Sequence, residues 1–188
     1  MKKIAIFASG SGTNAENIIK YFRDSKKIKI DSVWSNKQNA YALERAKNMN
    51  IDYGSFSKKE FSGSDILLDK LKSRDIDLIV LAGFLLLIPP SFIKEFPIMN
   101  IHPALLPSYG GKGMFGNYVH EAVIKNNEKE SGITIHLVNE EYDRGEHLLQ
   151  AKCPVLPSDS PEILAKRIHK LEYEFFPVTI EKFLLRDS

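Results

Sequence analysis

Leu78-Ile79-Val80-Leu81-Ala82 is a run of five apolar residues with no polar residue alternating through it. A strand with one wetted face alternates apolar with polar, so an unbroken run marks a strand covered on both faces, as in the middle of a parallel sheet. Outward from this run, short apolar stretches alternate with amphipathic ones. Strands are expected near residues 3–8, 28–34, 53–56, 78–83, 98–101, 132–138 and 149–155, and helices near 13–23, 39–49, 64–74, 90–96, 117–126 and 160–185. This order predicts an α/β fold, a doubly wound, mostly parallel sheet flanked by helices, as a single domain over residues 1–188. A ligand crevice is then expected beyond the carboxyl ends of the strands. Pro177 is expected to kink or end the last helix, and the last few residues to fray.

Composition narrows the class of partner. The 188 residues are 43% apolar, enough to bury roughly 70% of the unfolded surface. Lys and Arg number 26 against 24 Asp and Glu, a net charge of +2 that calls for neither nucleic acid nor an acidic membrane. A small anionic ligand is compatible with this balance, and monomer and homodimer are left open. Cys153 is the only cysteine, which excludes an intramolecular disulfide or a thiolate metal cluster and fits a reducing, cytoplasmic compartment. The apolar run after Lys2 and Lys3 stops at Ser9-Gly10, too short for a signal core or a membrane span.

Three places carry chemistry. Ser9-Gly10-Ser11-Gly12-Thr13-Asn14 follows the first strand and opens the first helix, where glycines and unpaired N–H groups suit a phosphate. The dinucleotide spacing is incomplete and there is no Walker lysine, which favours a monophosphate; an ordinary tight turn is the plain alternative. Thr13 and Glu16 fit a capping box. Asn100-Ile101-His102-Pro103 puts a carboxamide and an imidazole two residues apart at the end of a strand, hence on one face. Such a pair can bind a developing oxyanion and move a proton, or can merely cap the strand. Asp143 lies in the acidic loop after the strand 132–138, in which Thr134 and His136 share a face. A carboxylate brought to His102 would orient the ring and favour its charged form. None of the five histidines stands in a metal-binding H-E-x-x-H pattern, so no metal is expected.

Together, Ser9 to Asn14, Leu81-Ala82-Gly83-Phe84, Asn100 to Pro107, and Asp143-Arg144-Gly145 followed by Gln150-Ala151-Lys152 resemble the phosphoribosylglycinamide formyltransferase family from Lys3 to about Phe183. The resemblance implies a Rossmann-like formyltransferase fold. It also implies transfer of a formyl group from the cosubstrate 10-formyltetrahydrofolate to the amine of phosphoribosylglycinamide. Carried over by position, it makes Asn100, His102 and Asp143 catalytic, with Thr134 in support. Gly12, Thr13, Asn14, His169 and Glu172 would bind the acceptor, and Leu85, Leu86, Leu87, Ile88, Asn100 and Lys59 the folate.

Leu86 stands where bacterial members often carry Arg, and Lys59 near another folate-side Arg, keeping the charge but losing the bidentate fork. Glu146-His147 replaces a more apolar pair, and the stretch from Tyr109 to Gly116 is richer in glycine than in many relatives; Pro107 to Gly116 as a whole reads as a mobile surface loop. A sugar-nucleotide formyltransferase would share the trio with a different acceptor pocket, and a formyltetrahydrofolate hydrolase would use water. A phosphate-binding module would bind without turnover.

Overall fold

The computed structural model describes residues 1–186. In chain order it contains β1 (Lys2–Phe7), α1 (Thr13–Phe22), β2 (Ile28–Ser35), α2 (Tyr41–Asn48), β3 (Asp52–Ser55), α3 (Lys58–Gly63), α4 (Ile66–Lys72), β4 (Leu78–Leu81), α5 (Pro90–Glu95), β5 (Ile98–His102), α6 (Asn117–Lys125), β6 (Glu130–Leu137), β7 (His147–Pro154) and α7 (Pro161–Leu185). The strands form one sheet in the order β3-β2-β1-β4-β5-β6-β7. The first five in that order run parallel, whereas β6 is antiparallel to β5 and β7 to β6.

Burial on both faces is visible residue by residue. Ile4 and Ile6 of β1 join Leu78 and Val80 of β4 in one core, packed under α1, α2, α6 and α7 through Ile18, Leu43, Val119 and Phe176. The alternate residues Ala5, Phe7, Ile79 and Leu81 join Phe61, Leu71 and Phe92 of α3, α4 and α5 in the second core. Both cores therefore come from one alternation along strands that have no wetted face.

Three local expectations are corrected. α1 starts from Gly12, whose φ of 73° is left-handed and which offers no side chain as a cap; the Glu16 carboxylate instead pairs with Lys20 and Arg45, so no Thr13–Glu16 capping box forms. The capping box stands at Ser57 and Glu60, where it starts α3, a helix that the pattern near 64–74 did not include. Pro177 lies inside α7 without ending it. A proline there leaves the carbonyl four residues back without its usual donor. Asn17 of α1 supplies one, Nδ2 donating to the Tyr173 carbonyl at 3.0 Å. The expected fraying of the last few residues falls partly on 187–188, which lie outside the described residues.

Candidate active site

From β1 the chain crosses to β2 on one side, and β4 lies on the other, so the loops after β1 and β4 part at a switch point where a crevice opens. Ser9 fastens these loops. It is 1% exposed; its N–H donates to the Gly83 carbonyl at 3.0 Å, its hydroxyl donates to Asn36 Oδ1 at 2.6 Å, and that hydroxyl accepts from the Leu85 N–H at 3.0 Å. Gly12 is glycine for a steric reason as well as its φ: a Cβ would lie 2.5 Å from the Ala42 Cα of α2. The Ala42 N–H donates to the Gly10 carbonyl and Arg45 Nε to the Ser11 carbonyl, so α2 braces the glycine loop from behind. No side chain caps α1, which leaves its first N–H groups for an anion.

The crevice is a cavity of about 570 Å³. Its walls include Gly12, Thr13 and Asn14, the segment Leu85 to Ile88, the glycine-rich loop 111–116, and His169 and Glu172 from α7. Asn100, His102, His136 and Asp143 also line it. Register explains the last grouping: Asn100 sits opposite His136, and His102 opposite Thr134, across the β5–β6 pair.

The hydrogen bonds orient this polar cluster. His136 Nδ1 lies 2.9 Å from the Leu137 carbonyl, which only accepts, so Nδ1 carries a proton, and Nε2 lies 3.1 Å from Asn100 Nδ2. Asn100 is thereby held amide-first, with its second N–H unclaimed by this bond. His102 Nε2 donates to the Tyr109 carbonyl at 2.7 Å, leaving Nδ1 as the nitrogen that faces Asp143 Oδ2 at 3.6 Å. Asp143 Oδ1 is also 3.6 Å from His136 Nε2, and Oδ2 accepts from the Gly111 N–H at 2.9 Å. Asp143 has a left-handed φ of 55°. The Gly145 that follows it cannot carry a side chain, since a Cβ would meet the Leu137 carbonyl oxygen at 1.6 Å.

Charge in this cluster differs in one respect from expectation. Burial pushes the His102 pKa down, Asp143 and the Tyr109 carbonyl oppose it, and the net value stays below the usual 6.5. The resting ring is therefore neutral at neutral pH rather than held charged by Asp143. For Asp143 burial acts upward, but His136, His102 and the Gly111 N–H outweigh it and the carboxyl stays below its ordinary value. On α7, the hydrogen bond to Glu172 raises His169 against its burial; His169 Nδ1 lies 2.7 Å from Glu172 Oε2, which also accepts from Asn14 Nδ2 at 2.9 Å.

Two expected site residues stand apart. Thr134 is fully buried behind the cavity: it donates to the Ala104 carbonyl and accepts from the Leu106 N–H and from Gln150 Nε2. It anchors the backbone that follows His102 and does not line the cavity. Lys59 is exposed on α3 and is likewise absent from the cavity wall. Leu85 and Leu87 are exposed at the rim, whereas Ile88 is buried in the second core. His120, Gln150 and Tyr109 complete the site or its support and have no role assigned from sequence, Gln150 entering there only within the Gln150-Ala151-Lys152 motif and His136 only as sharing a face with Thr134. The position of His136 opposite Asn100 is the signal that strand pairing would have given. His120, one histidine on a helix, offers none. Among the described residues no group of three or more His, Cys, Asp or Glu could hold a metal ion, and no helix is long and apolar enough to cross a membrane.

This sheet, with a carboxamide, two imidazoles and a carboxylate at the end of β5 facing a glycine loop, has the architecture of a formyl group transferase. The family model described as "Formyl transferase" matches residues 2–180, and the chain belongs to that family. Within it the chain falls among the phosphoribosylglycinamide formyltransferases. It is 42% identical to the protein of that name from Haemophilus influenzae, over 97% of this chain and 87% of that one. The chloroplastic phosphoribosylglycinamide formyltransferase of Arabidopsis thaliana is 41% identical over 93% of this chain, which spans 63% of the plant protein. The solved phosphoribosylglycinamide formyltransferase from Bacillus halodurans superposes with a TM-score of 0.87 at 32% identity, over 100% of this chain and 97% of that one.

Proposed function

We propose that this cavity transfers the formyl group of 10-formyltetrahydrofolate to the amine of N1-(5-phosphoribosyl)glycinamide, giving formylglycinamide ribonucleotide and tetrahydrofolate on the route to IMP. The observation that carries the reading is the Asn100, His102, His136 and Asp143 cluster, set between a glycine loop suited to phosphate and an apolar rim suited to a flat ring. Gly12, Thr13 and Asn14 receive the ribose phosphate at the start of α1, and Glu172 with His169 takes further polar groups of that acceptor. Leu85 to Ile88 flank the folate ring, whose bound form supplies an activated one-carbon group.

The chain's own residues handle the charge and the proton. As the amine nitrogen bonds to the formyl carbon, negative charge grows on the formyl oxygen, and the unclaimed Nδ2–H of Asn100 donates to it. His102 enters neutral and takes the amine's proton on Nδ1. Asp143, 3.6 Å away, offsets the resulting imidazolium. His102 then returns the proton to the folate nitrogen as the bond from that nitrogen to the formyl carbon breaks. No covalent enzyme intermediate is required. A single domain over residues 1–188, a cytoplasmic compartment and small-molecule substrates, as a monomer or a homodimer, complete the reading.

The test is spectrophotometric detection of folate product with and without phosphoribosylglycinamide, alongside His102→Ala. The expected result is acceptor-dependent turnover that falls at least about a hundredfold in the variant with substrate binding retained. Turnover without acceptor would instead indicate a hydrolase, and near-normal turnover in the variant would remove His102 from its role.

A further inference from the structure

His120 lies on α6, only 2% exposed, on the wall of the active cavity, and its Nδ1 has no hydrogen-bond partner among the described residues. Buried polar atoms are almost always paired, so a bare one in a ligand cavity marks a place that a ligand completes. Burial, reinforced by His169, pushes the His120 pKa down to about 4, so at neutral pH the ring is a hydrogen-bonding group and not a charge. The charges that act on it are those of His169, Glu172 and His102, each of which lines the same cavity. Asn14 gives its Nδ2–H to Glu172, and its Oδ1 is a second buried atom without a partner. With its proton on Nε2, His120 presents an acceptor at Nδ1. Asn14, His120 and Glu172 all line the cavity, so its wall carries two buried acceptors to which nothing in the described chain donates.

A ligand that satisfies both acceptors brings two donors. In a phosphoribosyl acceptor the vicinal hydroxyls of the ribose have that character, and they lie between the amine and the phosphate, in a ligand whose cavity His102, His120 and Asn14 all line. We propose that His120 is a specificity residue that accepts a hydrogen bond from a ribose hydroxyl at Nδ1, beside Asn14 Oδ1, and so selects ribosyl over deoxyribosyl acceptors. This inference rests on the acceptor reading given above.

The test compares kcat/KM for N1-(5-phosphoribosyl)glycinamide and for its 2-deoxy and 3-deoxy analogues in the wild type, His120→Phe and His120→Asn. Phe keeps the ring and removes the bare nitrogen, so the variant should fold; Asn restores a polar group close to the position of Nδ1. The wild type should prefer the ribosyl acceptor over at least one deoxy analogue by about a hundredfold. In His120→Phe that ratio should fall by about tenfold or more, and His120→Asn should keep most of it. A merely structural role would lower the rates for all acceptors together and leave the ratio unchanged, which would overturn the proposal. Absence of turnover with the ribosyl acceptor in the wild type would instead overturn the acceptor reading on which the proposal rests.

Discussion

Asp143→Asn isolates the charge that supports His102 while keeping an oxygen for the Gly111 N–H. In the resting protein His102 is neutral, so the substitution costs little until the ring takes a proton. At that moment the lost attraction acts across 3.6 Å between side chains that are 4% and 11% exposed. At an effective dielectric constant of about 20, two unit charges at that separation attract by about 4.6 kcal/mol. Partial solvent access reduces this to about 3–4 kcal/mol, or roughly a hundredfold to a thousandfold in rate. The variant should therefore lose about that factor in kcat, with KM for the acceptor nearly unchanged. The sign of the pH effect follows from the same pair. Asp143 raises the His102 pKa against burial, so removing its charge lowers that pKa further and moves the His102-linked acid limb of kcat to lower pH. Steady-state kinetics across pH give both numbers. A kcat within about threefold of the wild type, or an acid limb that moves upward, would refute this role for Asp143.

Three further outcomes test the surrounding structure. His120 falls from 6.5 to about 4 on folding, so its protonation penalty is absent above pH 6.5, grows as pH falls and is complete below about 4. At pH 5 it amounts to about 2 kcal/mol, and urea unfolding at pH 7.5 and 5 should show His120→Phe losing about that much less stability than the wild type; equal losses would contradict the burial argument. Gly145→Ala forces a Cβ onto the Leu137 carbonyl, so it should cost about 2 kcal/mol or more and lower kcat by displacing Asp143; unchanged melting temperature and kcat would show that the turn relaxes freely. Asn17→Ala should cost about 1 kcal/mol in the wild type but much less with Pro177→Ala, whose new N–H can serve the Tyr173 carbonyl; strictly additive unfolding energies would exclude the shared bond.

What the sequence reveals here depends on whether the signal is local. The unbroken run from Leu78 announces a doubly covered strand, because burial on both faces removes the polar alternate. Asn100 and His102 likewise share a face through strand alternation alone, and both line the cavity. The same rule puts Thr134 and His136 on one face but is silent about depth: His136 reaches the cavity, and Thr134 stops behind it, bonded to the 104–106 backbone. The antiparallel return of β6 and β7 is a matter of pairing that apolar runs do not state. Glu16 had the spacing for a cap, yet Arg45 from another helix claims its carboxylate, and Asn17 spares α7 the break that Pro177 alone predicts. The charge of His102 was misjudged for a similar reason, since Asp143 can be matched by motif while burial is a property of the assembled fold.

The central claim is direct transfer of one carbon between two small molecules within this cavity. Carbon-13 NMR of a reaction with formyl-labelled 10-formyltetrahydrofolate and phosphoribosylglycinamide follows that carbon itself. The account predicts that the label appears in the formylamide of the acceptor in equal amount to the tetrahydrofolate formed, and that it stays on the folate when the acceptor is omitted. Release of the label as formate without acceptor would contradict it.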